Sequence, residues 1–299
     1  MKAVTKIVFT DDDGMKFFGE GPCRLLRCIQ KTGSLRAAAM EMNMAYSKAS
    51  KLLKQAEAAL GFPLTARSAG GKDGGGSRLT PEGRQWLTQY EAYRNACLRA
   101  NQALYRQHFP QIGCVIMASG MGKRFGGNKL MADFHGKPML QRALDATEGL
   151  FSKRVVVTRH ESVAALCREQ NVDVIFHELP HRNDTIRLGL EALGDLDACM
   201  FLPGDQPLLR RETVAMLLEN WKENPGSILR PICEDTEGSP VLFPSWAFPE
   251  LKDLPEGKGG CFVIKNHPNE VLRVSVADPF ELADADTPQT LELLKQLLK

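Results

Sequence analysis

The chain predicts an α/β protein in two parts. A winged helix-turn-helix (α+β) occupies residues 1–109, and a doubly wound, mostly parallel, Rossmann-like sheet occupies residues 112–299. Three observations predict this. From Cys114 onward, short apolar runs alternate with helical patterns, the signature of β-α-β units. Two distinctive loops each follow an apolar run, where open α/β sheets place their ligands. Upstream, two helical segments separated by a tight break precede a glycine-rich basic loop.

The first part divides as follows. Val4–Thr10 and Met15–Gly19 read as strands joined at an Asp-Gly turn. Pro22 opens a helix to about Lys31 that buries Leu25, Leu26 and Ile29. Ser34 is an N-cap for a short alanine-rich helix over 35–42. A longer helix follows over Ala45–Leu60, with Tyr46, Ser47, Lys48, Ser50, Lys51 and Lys54 on its outer face. Leu64–Ser68 and Arg78–Thr80 are extended runs bracketing AGGKDGGGS, which makes a wing. Pro81 to Gln107 is a long helix with Trp86, Leu87, Tyr90, Tyr93, Cys97, Leu98 and Leu104 along one face. Such a helix packs on its own domain or pairs two copies of the chain.

In the second part, Cys114–Ala118, Arg154–Thr158, Val172–Phe176 and Ala198–Leu202 read as strands. Helices are expected near Met139–Glu148 and over Glu161–Gln170, Thr185–Leu193 and Arg211–Asn224. The loop after the first strand runs Ala118-Ser119-Gly120-Met121-Gly122-Lys123-Arg124, and Lys129 closes it. Glycines let backbone N–H groups approach a phosphate, and Arg124 and Lys129 add positive charge. The spacing is neither that of a P-loop nor that of a dinucleotide fingerprint. Asp205 ends the fourth strand, where a carboxylate can hold Mg²⁺ against phosphates. Asp284 and Asp286 are paired acids that offer a further ligand.

Charge is divided unevenly. Residues 1–110 carry 17 Lys and Arg against 9 Asp and Glu, and the remainder carries 21 against 27, for a net +2. A basic first part on an acidic second suggests two kinds of partner. No apolar run reaches the roughly 18 residues that span a bilayer. The N-terminus lacks a secretory h-region, and the eight cysteines form no C-x-x-C pair. A cytoplasmic protein with reduced thiols and no membrane association is expected.

The glycine loop resembles the A-(A/G)-G-x-(S/G)-x-R-(M/F)-G-x-x-K signature of the MobA-like nucleotidyltransferases, which attach a nucleotide to molybdopterin cofactors. Gly204-Asp205-Gln206-Pro207 and Asp284-Ala285-Asp286-Thr287-Pro288 are similar to its later motifs. The resemblance implies Mg²⁺-dependent transfer, with Arg124, Lys129 and Asp205 as catalytic residues. Ala118, Ser119, Gly120, Gly122 and Lys123 would bind nucleotide beside Arg124 and Lys129, and Asp205 and Asp286 would hold the metal. Gly238-Ser239-Pro240-Val241-Leu242-Phe243 and Gly257-Lys258-Gly259-Gly260 resemble the CMP-transferring branch. They imply an acceptor site at Gly238, Pro240 and Lys258. The GTP-using branch has A-G-G and the CTP-using branch A-A-G where this chain has Ala118-Ser119-Gly120. A side chain at 119 narrows the pocket and favours CTP. Asn183-Asp184-Thr185-Ile186 departs from the small-residue run of the family. No histidine falls in a motif position.

The run from Gly33 through the wing resembles the ModE-type DNA-binding domain, a relative of the LysR-type helix-turn-helix. This implies duplex DNA as partner, with Tyr46, Ser47, Lys48, Ser50 and Lys51 near the major groove and Arg67 and Lys72 on phosphates. It implies a homodimer reading two half-sites. The transferase resemblance implies a molybdoenzyme or cofactor-insertion chaperone downstream. The alternatives are a regulator whose transferase-like domain only senses nucleotide or cofactor, and a guanylyltransferase using GTP.

Overall fold

The computed structural model describes residues 3–67 and 76–298. The chain divides into two compact units between His108 and Phe109, each described by itself.

In the first unit, β1 (Phe9–Thr10) and β2 (Lys16–Phe18) form an antiparallel hairpin. It is shorter than the strands expected over 4–10 and 15–19. Val4 and Val8 are exposed, with no partner strand to prolong the ladder. Three helices follow, α1 (Glu20–Thr32), α2 (Leu35–Glu41) and α3 (Tyr46–Leu60). Helix α1 starts two residues before Pro22, because the first-turn N–H groups have no intrahelical acceptor and proline loses nothing there. Ser34 caps α2 by accepting from the Ala37 N–H at 3.4 Å. The fully buried Ala38, Ala39 and Ala49 let α2 and α3 cross closely. β3 (Thr65–Arg67) and β4 (Ser77–Leu79) pair antiparallel as the stem of the wing.

Helix α4 (Pro81–His108) is capped by Thr80, whose hydroxyl accepts from the Gly83 N–H at 2.9 Å. Any Cβ at Gly83 would collide with the Leu64 carbonyl oxygen, so glycine is required for α4 to lie against that strand entry. Leu25, Leu26, Ile29, Leu53, Leu64, Leu87 and Tyr90 form the core of the unit. Each such side chain contributes about 1.5–3 kcal/mol by leaving water.

The second unit runs β5 (Ile112–Ala118), β6 (Asp133–Phe134), β7 (Lys137–Pro138), α5 (Leu140–Thr147), β8 (Lys153–Thr158), α6 (Glu161–Glu169) and β9 (Val174–Phe176). It continues with α7 (Arg182–Leu193), β10 (Ala198–Pro203), α8 (Arg211–Glu223), β11 (Ile228–Cys233), β12 (Thr236–Glu237) and β13 (Val241–Pro244). α9 (Phe248–Lys252), α10 (Cys261–Asn266), β14 (Val271–Ser275) and α11 (Pro288–Leu297) complete it. One sheet has the order β12-β11-β13-β10-β5-β8-β9, with β14 beside β11. β10, β5, β8 and β9 are parallel, while β13 runs antiparallel to β10 and β11.

The sheet is covered on both faces. Cys114, Ile116 and Ala118 of β5 face a core that includes Leu140, Leu217 and Trp221. Val115 faces the opposite core with Ile186, Leu190 and Val263. This period of two explains why β5 reads as a continuous apolar run rather than an alternating one. The chain steps from β5 outward to β8 and β9, then returns to the other side of β5 as β10. The switch point opens a crevice at the carboxyl ends of β5 and β10. Helix α7 begins a turn earlier than the expected Thr185. His181 and Asp184 form a capping box, with the His181 N–H donating to the Asp184 carboxylate at 3.2 Å.

Candidate functional site

Three chain segments meet at the switch point. The glycine loop leaves β5, and Gly122 holds φ +57° where a Cβ would strike the Gly127 carbonyl oxygen, so the loop closes on itself. Asn128 then caps a short 3₁₀ turn, Lys129–Met131. The second segment leaves β10, and the Gly204 N–H donates to the Met117 carbonyl at 3.1 Å. The third precedes α11, and the Ala285 N–H donates to the Asp205 carbonyl at 2.9 Å. Backbone bonds thus fix the three loops to one another before any side chain acts.

Lys129 is the hub. Only 8% of it is exposed, and its ammonium donates to Asp286 at 2.9 Å and contacts the Asp205 carboxylate. Arg124 donates to the other oxygen of Asp286 at 2.6 Å. Burial pulls the Lys129 pKa down, but Asp205 and Asp286 outweigh it and hold the ammonium above its usual value. The hydrogen bond from Lys129, with the charges of Lys129 and Arg124, keeps the Asp286 carboxyl below the usual range. Asp284 behaves oppositely. Burial, reinforced by the Asp205 charge, pushes its carboxyl up, although the Gln206 amide donates to it at 3.1 Å.

These residues line a cavity of about 500 Å³, together with Ser119 and Gly120. Gly122 and Lys123 line an adjoining pocket that shares Arg124, Lys129, Asp205 and Asp286. Ala118 is buried beneath the loop, where its carbonyl accepts from the Thr158 hydroxyl at 2.9 Å. Of the acceptor segment, Ser239 reaches the cavity wall. Gly238 packs on Leu282, Pro240 is buried, and Lys258 is exposed and stands off the walls.

The cavity is also lined by Arg159, Pro180, His181 and Arg182, which carry no motif signal, and by Thr185 of the segment that departs from the family's small-residue run. Neither arginine has a carboxylate partner among the described residues; Arg159 donates to the Pro180 carbonyl at 3.3 Å. The Thr185 hydroxyl is buried without a partner. Two histidines outside the motifs also touch the glycine loop. His177 lies 2.9 Å from the Ser119 hydroxyl, and His160 donates to the Gly120 carbonyl at 2.8 Å. Burial, with the Arg159 charge, holds the His177 imidazole below its usual pKa. Each of these histidines follows a strand of the parallel sheet, and that position is the one signal by which sequence reasoning finds them.

Residues 114–271, more than half of the chain, match the model of the MobA-like NTP transferase domain. The chain belongs to the MobA-like NTP transferase family. Residues 23–84 match the bacterial regulatory helix-turn-helix protein, lysR family, so the transferase carries a helix-turn-helix of that kind. Over 111 residues the chain is 30% identical to a probable molybdenum cofactor guanylyltransferase of Aquifex aeolicus (strain VF5), covering 37% of this chain and 54% of the other. It is 32% identical over 119 residues to a 3-deoxy-manno-octulosonate cytidylyltransferase of Trichlorobacter lovleyi, covering 39% and 47%. The chain thus spans about half the length of these curated relatives. The fold resembles the crystal structure of Rv0371c from Mycobacterium tuberculosis H37Rv, with a TM-score of 0.57 and 22% identity over 62% of this chain and 98% of that one.

In the helix-turn-helix, Tyr46, Ser47, Lys48 and Lys51 are exposed on α3, Ser50 is half-buried, and Ala49, Leu53 and Ala56 face the core. Arg67 is exposed on β3, and Lys72 lies outside the described residues. No helix among the described residues is long and apolar enough to cross a membrane.

Proposed function

We propose that the C-terminal unit transfers CMP from CTP to a molybdopterin cofactor with release of pyrophosphate, and that the N-terminal unit binds duplex DNA. The observation that carries the first part is the placement of Lys129, Arg124, Asp205 and Asp286 around one cavity under a glycine-rich loop. A phosphate oxygen of the acceptor attacks the α-phosphorus of CTP, and the bond from that phosphorus to the β-phosphate's bridging oxygen breaks. Pyrophosphate carries the electron pair away. Arg124, Lys129 and the loop N–H groups orient and neutralise the leaving group.

The donor set suits a divalent cation. Among the described residues, no three His, Cys, Asp or Glu side chains enclose a metal by themselves. Asp205 and Asp286 would therefore hold Mg²⁺ with phosphate oxygens and water completing its shell, as Mg²⁺ prefers. Burial raises Asp284 first and the Asp205 charge adds to it; a cation there would offset both by favouring the ionised carboxyl. When bound, Mg²⁺ supplies charge neutralisation at the transferring phosphate.

The nucleoside falls to the side walled by Arg159, Arg182 and Thr185, which offers donors and no carboxylate. Cytosine presents O2 and N3 as acceptors. Donors also suit the O6 and N7 edge of guanine, so the Ser119 side chain decides by narrowing that side. Ser239, which lines the same cavity as Asp205, would contact the acceptor.

Support for the DNA partner comes from the exposed polar and basic face of α3 and the basic stem of the wing at Arg67 and Arg78. The R-S-x-G-G-K-x-G-G-G wing sequence favours a ModE-type lineage within this helix-turn-helix class. Tyr93 and Leu104 of α4 are 52% and 55% exposed and lie three turns apart on one side of the helix, an apolar pair suited to joining two copies across two half-sites.

The test is pyrophosphate release with Mg²⁺, molybdopterin and either CTP or GTP, alongside Asp205→Ala. Release with CTP, lost in the variant, is expected. Release with GTP alone would make the protein a guanylyltransferase. Nucleotide binding without release would favour a regulator that senses nucleotide.

A further inference from the structure

Three consecutive residues at the start of the glycine loop are each held by a side chain from the end of β8 or from the segments that follow β8 and β9. Thr158 holds the Ala118 carbonyl, His177 holds the Ser119 hydroxyl, and His160 holds the Gly120 carbonyl. The middle contact is the informative one, because Ser119 and His177 meet through side chains alone.

Its protons can be placed by elimination. The Ser119 hydroxyl lies 3.1 Å from the Val157 carbonyl, which can only accept, and 2.9 Å from His177 Nε2. If the hydroxyl gave its one proton to Nε2, the ring proton would sit on Nδ1. That atom is buried with no partner. An orphaned buried N–H is a rarer and costlier defect than an orphaned lone pair. The hydroxyl therefore donates to Val157 and accepts from the His177 Nε2–H. The one hydroxyl proton of Ser119 is then committed to Val157, and the two bonds together hold its side chain in one orientation in the cavity wall. His177 itself is 8% exposed, and its backbone N–H is fixed to the Thr158 carbonyl at 3.0 Å.

We propose that His177 is a positioning residue that sets nucleotide affinity and the preference for a pyrimidine by fixing the Ser119 side chain in the cavity wall. The inference rests on the nucleotide-transfer reading above and adds to it a residue that does not touch the nucleotide.

The experiment is calorimetric titration of the full chain with CTP and with GTP, in Mg²⁺ and without acceptor. The variants are His177→Leu, His177→Gln, His177→Asn, Ser119→Ala and the Ser119→Ala/His177→Leu double. His177→Leu is expected to weaken CTP about tenfold and to narrow the CTP-to-GTP ratio, the scale of one hydrogen bond. His177→Gln, which keeps a donor at the ε position, should return to within about threefold of the parent. In the Ser119→Ala background His177→Leu should add nothing, since the bond is already gone.

Unchanged CTP affinity in His177→Leu would overturn the proposal. So would a loss as large in the Ser119→Ala background, which would mark His177 as packing only. If His177→Leu does not fold, the comparison of Gln with Asn decides: equal affinities overturn the proposal, and a deficit confined to Asn supports it. A parent protein that binds neither nucleotide would instead overturn the nucleotide reading, and this inference with it.

Discussion

Lys129 donates to Asp286 across 2.9 Å, joining residues 157 positions apart at the floor of the cavity. Its ammonium also touches Asp205, so one cation holds the carboxylates of two separate loops. A compact point charge suits this shared position better than a guanidinium fork.

Lys129→Met should therefore lower kcat/KM by about 10²–10³, the loss expected when one charge-stabilising group is removed. Stability should fall by about 1–3 kcal/mol, discounted from a fully buried pair because Asp286 is partly exposed. Lys129→Arg should recover little activity. Steady-state pyrophosphate release and urea unfolding check both; full rescue with Arg would show that charge alone suffices and would refute the need for a compact ammonium.

The protein should lose stability in mild acid through His177. Burial, with the Arg159 charge, holds this imidazole below the usual 6.5. The unfolded chain then takes up the proton more readily than the folded one, so protons favour unfolding. The contribution is complete above about 6.5 and disappears as the pH falls through the lowered value. Thermal unfolding from roughly pH 7.5 down to pH 5.5 should show a smaller drop in His177→Gln than in the parent.

Gly83→Ala should destabilise the helix-turn-helix unit by at least about 2 kcal/mol, since the new methyl meets a backbone carbonyl rather than a flexible side chain. Gly21→Ala is the control. It lies in the first turn of α1 with open space around it, and should be neutral or slightly stabilising. Circular dichroism melts of the two variants would distinguish a steric requirement from a general cost of removing glycine.

Lys48→Ala and Lys51→Ala should each reduce the slope of log affinity against log salt by about one on duplex DNA. Weakening should be similar on all sequences if these lysines meet phosphate, and unequal if they meet bases. An unchanged slope in both would remove α3 from the DNA interface.

Much of this architecture is legible along the chain because it is local. The apolar run ending in Ala118, the Gly-rich loop and the Pro203–Pro207 turn report strand ends by residue type alone. The alanines of α2 and the basic outer face of α3 likewise announce a helix-turn-helix. The antiparallel strands β11, β12 and β13 were not legible. Their residues are short and interrupted by Pro231, Pro240 and Pro244, and they acquire strand geometry only by pairing with β10 and with each other.

The sequence by itself determined the family and the residues that mark it: a glycine-rich basic loop after a strand, Asp205 at the end of another, and a basic helical face on α3. The tertiary structure alone decided what surrounds them. Register across parallel strands brings Thr158 and His177 beside Ala118 and Ser119, and the outward step to β9 swings Arg182 and Thr185 onto the cavity. Those pairings depend on strand order, which no local pattern encodes. They become readable only once burial of both sheet faces has selected a single arrangement.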